Sequence, residues 1–152
     1  MKLTGNTVLI TGGGSGIGEA LAIAFYNKGN KVIIAGRQLE KLKTMTSNFP
    51  GMAYLSVDMT SLESISAFAK TLINEHADLN LIINNAGIMI PEDLLKAPAN
   101  IETAERTVLT NLLGPIRLTS TLLPHLIEQK PSAIMMVTSG LAFVPLAIRG
   151  TN

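Results

Sequence analysis

The chain has 152 residues, of which 47% are hydrophobic and 15% charged, with a formal net charge of +1. That is enough for one domain with a real core, spanning residues 1–152, and too neutral to argue for nucleic acid or an anionic membrane as partner. With no cysteine, disulfides, thiol catalysis and thiolate-bound metal are excluded. His76 and His125 stand far apart with no ligand spacing around them, so no metal site is predicted. No apolar run reaches the ~18 residues of a membrane span. Met1 to Gly5 leads almost directly into the first apolar run with no signal-peptide pattern. A cytoplasmic protein is the expectation.

Thr7-Val8-Leu9-Ile10 reads as a strand, followed by the glycine turn Thr11-Gly12-Gly13-Gly14-Ser15-Gly16-Ile17-Gly18. That turn opens a helix in which Ile17, Ala20, Leu21, Ala24 and Phe25 recur at helical spacing. Glycines let the backbone turn tightly and come close to a bound group. The unpaired N–H groups of the first helical turn, with the helix dipole, favour a phosphate. The pattern is TGxxxGxG, not the common GxGxxG.

Lys31 to Gly36 predicts a second strand, and Leu39, Leu42, Met45 and Phe49 a helix closed by Pro50-Gly51. Met52 to Val57 predicts a third strand, ending at Asp58. Thr60 and Glu63 then form a capping box for an amphipathic helix with Leu62, Ile65, Phe68, Ala69, Leu72 and Ile73. Leu81-Ile82-Ile83 is a fourth strand, running into Asn84-Asn85-Ala86-Gly87.

Asn100 and Glu102 mark the start of a long helix. Its apolar face is expected to be Val108, Leu109, Leu112, Ile116, Leu123, Leu126 and Ile127, as far as Lys130-Pro131. Pro115 lacks the N–H that would pair with the Asn111 carbonyl, so a kink is predicted there, freeing a carbonyl that can hold a water. Ala133 to Thr138 is the fifth strand.

Five strands alternating with helices argue for a parallel sheet covered on both faces. Such sheets bind ligands beyond the carboxyl ends of their strands. Gly12, Arg37, Asp58, Asn84 and Ser139 each fall at the end of a different strand, so one edge is the candidate site.

Taken in order, Thr11–Gly18, Asp58, Asn84-Asn85-Ala86-Gly87, Asn111 and Val137-Thr138-Ser139-Gly140 resemble the short-chain dehydrogenase/reductase family over essentially the whole chain. Ser139 to Leu146 further resembles bacterial DltE-like members. The resemblance implies a Rossmann-type α/β fold, a doubly wound parallel sheet of order 3-2-1-4-5, truncated here after the fifth strand. It also implies a nicotinamide cofactor and hydride exchange with a small carbonyl or alcohol substrate.

Carried over by position, the resemblance implies that Thr11, Gly12, Gly16, Ile17 and Gly18 hold the pyrophosphate, with Gly14 and Ser15 also among the cofactor-binding positions. Asp58 and Met59 meet the adenine, and Asn84, Ala86 and Gly87 line the crevice beside the cofactor. Asn111 serves a proton relay and Ser139 orients the substrate oxygen. The second strand ends Gly36-Arg37 with no carboxylate before Glu40, which favours NADP(H) over NAD(H). Ser15, where NADP-dependent relatives often show a basic residue, pulls the other way. The resemblance also implies that the long helix carrying Asn111 forms half of a subunit contact, so a homo-oligomer through it is an expectation.

The family's catalytic tyrosine, with a lysine four residues on, has no counterpart. The position thirteen residues after Ser139 is Asn152, and the only tyrosines, Tyr26 and Tyr54, are not followed by lysine at the fourth position. Two functions remain open: an oxidoreductase by descent that lacks turnover as this truncated chain, or a non-catalytic NAD(P)-binding module acting through a partner subunit.

Overall fold

The computed structural model describes residues 2–91, 101–140 and 143. The helix start at Asn100, the residues around Phe143 between Leu141 and Leu146, and Asn152 lie outside them. Among the described residues, β1 (Thr7–Thr11), β2 (Lys31–Gly36), β3 (Ala53–Ser56), β4 (Leu81–Asn84) and β5 (Ala133–Met136) form one parallel sheet of order β3-β2-β1-β4-β5. This is the expected order, with β3 one residue shorter at each end and β5 two residues shorter at its carboxyl end. Among the described residues no helix is long and apolar enough to cross a membrane.

Alternating side chains of the central strands feed two cores, one on each face of the sheet. Leu9, Ile33 and Ile82 pack with Ile65, Phe68 and Leu72 of α3 (Leu62–Glu75) and Leu118, Leu122 and Leu126 of α5 (Gly114–Glu128). Val8, Ile10, Ile34 and Ile83 pack with Ala22 and Phe25 of α1 (Gly16–Asn27) and Leu42 and Met45 of α2 (Leu39–Ser47). Burial on both faces explains why these strands are continuous apolar runs rather than alternating ones.

Several local expectations are corrected. The buried side of α1 is Gly18, Ala22 and Phe25, while Ile17 is 67% exposed. The helix rolls onto its glycine because that side approaches the sheet most closely. Ser61, not Thr60, caps α3: its Oγ accepts from Ser64 N at 3.1 Å, whereas Thr60 turns back to Asp58. In the long helix, Leu118, Leu122 and Leu126 meet the sheet, whereas Val108, Leu112, Ile116, Leu123 and Ile127 are exposed. The helix is apolar on two sides, and spacing selected mainly the outer one; of the expected face, Leu126 is buried against the sheet as expected.

The break before Pro115 is present. Between α4 (Ile101–Val108) and α5 the chain makes a π-helical turn over Leu109–Leu113, with Gly114 N donating to Leu109 O. A proline cannot donate to the carbonyl four residues back, and the looser five-residue register takes over.

Three asparagines gather the amino ends of the strands. Asn30 Oδ1 accepts from Asn6 N at 2.9 Å and Asn6 Nδ2 at 3.0 Å, and its Nδ2 donates to Leu3 O and Phe25 O. Asn80 Oδ1 accepts from Thr7 N, and its Nδ2 donates to Asn6 Oδ1 and Pro131 O. Removing the carboxamide in Asn30→Ala strands the buried Asn6 N–H. We expect a loss of about 1–3 kcal/mol in a denaturant titration.

Candidate functional site

At the carboxyl edge of the sheet a cavity of about 280 Å³ runs between the glycine turn after β1 and the segments that follow β2, β3 and β4. Its wall includes Gly12, Gly14, Ser15, Arg37, Lys41, Asp58, Met59, Ala86, Gly87 and Thr110. Eight of the positions expected from sequence are thereby brought together: Gly12, Gly14, Ser15, Arg37, Asp58, Met59, Ala86 and Gly87.

The glycine turn keeps its shape for steric reasons. Gly12 has φ +69°, and a Cβ there would stand 2.9 Å from Ala86 Cα. Gly16 has φ +57° with open space around it. A Cβ on Gly18 would run into the carbonyl oxygen of Gly12 and stand 2.5 Å from Asn85 Nδ2. So Gly18 sets how closely α1 approaches the turn, while Gly16 and Ile17 form the first helical turn. Their N–H groups have no partner within the helix.

Thr11 and Asn84 do not reach the cavity wall. Thr11 is fully buried, and its Oγ1 accepts from Asn85 N and Ala86 N at 3.0 Å each and donates to Ile83 O at 3.5 Å. Asn84 Nδ2 donates to Thr119 Oγ1 at 3.2 Å and lies 3.3 Å from Met136 Sδ, tying β4 to α5 and β5. Asn85, part of the expected motif but given no role there, donates from Nδ2 to Thr11 O at 3.0 Å and Gly12 O at 3.4 Å.

Asn111 lies in the π-helical turn beside the cavity. Its Oδ1 accepts from Ile88 N at 2.8 Å and its Nδ2 donates to Ile88 O at 2.7 Å. The carboxamide is therefore committed to holding the segment after β4. Gly114 lets the same turn approach the segment after β3: a Cβ there would stand 2.7 Å from Met59 O. Ser139 follows β5 at the same edge and is exposed.

Gln38, Lys41, Leu42, Val57, Ile88 and Thr110 also line the cavity and were not singled out from sequence. Lys41 was the most findable, a second cation four residues after Arg37 in sequence. Asp58 is held below the usual carboxylate range, chiefly because its Oδ1 accepts from Thr60 N at 2.9 Å. Partial burial opposes this, while the Thr60 hydroxyl at 2.8 Å and the Arg37 charge assist it.

The model of the short chain dehydrogenase family matches residues 6–150. Uncharacterized oxidoreductase DltE of Bacillus subtilis is 38% identical over 148 residues, covering 97% of this chain and 59% of that protein. The crystal structure of serine dehydrogenase from Escherichia coli superposes with a TM-score of 0.83 at 28% identity, over 93% of this chain and 65% of that one. A Shigella flexneri short chain dehydrogenase complexed with NADP shares the fold, with a TM-score of 0.84 at 21% identity over 94% of this chain and 62% of that one. The chain thus spans roughly three fifths of the length of these relatives.

Two outcomes follow from the geometry. Gly18→Ala forces α1 away from the turn, and we expect thermal unfolding to show a loss of about 1–3 kcal/mol. Asp58 stabilises the fold fully above its ordinary unfolded pKa of 3.8, and loses that contribution as pH falls through its lower folded value. In a carboxyl-carbon NMR titration its midpoint should lie below 3.8 and move towards it in Thr60→Val.

Proposed function

Because the chain belongs to the short chain dehydrogenase family, we propose that it binds a nicotinamide dinucleotide along the carboxyl edge of its sheet, with NADP(H) favoured over NAD(H). The observation that carries this reading is one cavity walled by Gly12, Gly14 and Ser15 at one part and by Arg37 and Lys41 at another. The residues fit such a ligand: glycines leave the wall open, the start of a 12-residue helix offers N–H groups, and two cations flank the end of β2.

In this reading Gly12, Gly14, Ser15, Gly16, Ile17 and Gly18 receive the pyrophosphate, and Thr11 braces them from below. Arg37, with Lys41, pairs with a 2′-phosphate in charge-assisted hydrogen bonds. Asp58 and Met59 meet the adenine, and Ala86 and Gly87 flank the cofactor on a segment that Asn84 anchors from inside. A bound nicotinamide supplies or accepts hydride. Ser139 donates a hydrogen bond to the oxygen of a small carbonyl or alcohol substrate. The Asn111 main-chain carbonyl holds a water on the proton path, its side chain being spent on Ile88.

A second reading, dinucleotide binding without turnover, is favoured by where the tyrosines stand. Tyr26 donates from Oη to Pro50 O at 2.8 Å and packs edge-on to Phe49, and Tyr54 is on β3. Neither lines the cavity. The exposed stripe Val108, Leu112, Ile116, Leu123 and Ile127 is the surface through which a homo-oligomer or a partner subunit would pack. The cytoplasm, with its nicotinamide pool, is the compartment either reading implies.

Fluorescence titration tests the proposal. We expect micromolar NADPH binding, weaker NADH binding, and an NADPH affinity about 10–100-fold lower in Arg37→Ala. Equal affinity for the two cofactors, unchanged by the substitution, refutes the NADP(H) preference. With neither Tyr26 nor Tyr54 at the cavity, residues 1–152 expressed by themselves should turn over at least the ~10²–10⁴-fold more slowly that a general acid/base is worth.

A further inference from the structure

Thr110 sits in the π-helical turn, is only 6% exposed, and lines the cavity, yet its Oγ1 is buried with no hydrogen-bond partner. The other helical threonines with described partners behave differently. Thr46, Thr71, Thr107 and Thr121 each donate to the carbonyl four residues back, at 2.8–3.2 Å, and Thr119 Oγ1 accepts from Asn84 Nδ2 at 3.2 Å. A buried hydroxyl without a partner weakens folding and calls for an explanation.

The surroundings supply one. Gly114 presses the π-helical turn onto Met59, and Asn111 clamps it to Ile88, so Thr110 lies between the segments that follow β3 and β4. The cavity wall contributed there is Val57, Met59, Ala86 and Ile88, with Asp58 as the other polar side chain. Apolar walls with two polar groups suit a flat heterocycle that carries both an amino donor and ring acceptors.

Resting on the dinucleotide reading above, we propose that Thr110 is a specificity-determining residue whose hydroxyl donates to a ring nitrogen of the bound adenine. One step of ~120° about χ1 carries the hydroxyl to a different staggered position. Helical threonine readily populates two such rotamers. The hydroxyl then trades a buried position without a partner for a bond to the ligand, and adenine is selected over bases lacking an acceptor there.

The test compares the wild-type chain with Thr110→Val and Thr110→Ser, titrating NADPH, 2′,5′-ADP and reduced nicotinamide mononucleotide, alongside ligand-free melting curves. Expected for Thr110→Val is an affinity about 3–10-fold lower for the two adenine-bearing ligands, no change for the mononucleotide, and a melting temperature at or above wild type. Thr110→Ser should bind within about 2-fold of wild type, since it keeps the donor. The proposal is overturned if Thr110→Val binds 2′,5′-ADP as tightly as wild type, or if it melts lower, which would give the hydroxyl a structural duty. A wild-type chain that binds neither NADPH nor NADH overturns the dinucleotide reading itself, and this inference with it.

Discussion

The carboxyl edge depends on one hydroxyl used to capacity. Thr11 Oγ1 takes two backbone N–H groups from Asn85 and Ala86 and gives its proton towards Ile83 O. A threonine hydroxyl has one donor and two acceptor sites, so nothing is left over for a ligand. Its work is to keep the start of the glycine turn and the segment after β4 at a set separation. Asn85 adds two further bonds to Thr11 O and Gly12 O across the same gap. The opening between them exists because β1 and β4 are adjacent strands whose continuations part there, one into α1 and the other towards Ile88.

The glycines and the π-helical turn act on that opening from either side. On one side, Gly18 determines how near α1 comes. On the other, Gly114 determines how near the long helix comes to Met59, and Asn111 passes that position on to Ile88. Each contact is backbone against backbone or carboxamide against backbone, and such contacts tolerate little adjustment. The cavity is therefore shaped by main chain, with side-chain chemistry concentrated in Arg37, Lys41, Asp58 and Thr110.

Much of this was legible in the sequence. Strand and helix periodicity placed all five strands, and polar or glycine residues at strand ends marked the edge where the cavity lies. What escaped has physical causes. The α1 face was right at Phe25 and Leu21 but wrong at Ile17, because hydropathy gives a glycine no weight, although Gly18 packs more closely than any larger residue could. The long helix was assigned its outer face because both sides are apolar, so period alone cannot choose. The fold-bracing roles of Thr11, Asn84 and Asn85 were hidden because a polar residue at a strand end reads the same whether it faces a ligand or a neighbouring backbone. The amide cluster of Asn6, Asn30 and Asn80 draws on residues up to 74 positions apart, a separation that no local pattern reports.

The π-helical turn can also be read as a one-residue insertion in an otherwise continuous helix. Each residue of an α-helix advances the chain by about 100°. Deleting a single residue between Leu109 and Leu113 would restore ordinary winding and swing all of α4 by about that angle relative to α5. Length in this segment is thus under tighter constraint than composition. Related chains should accept many substitutions along the exposed side of the long helix, and almost no gain or loss of a residue within its middle turn.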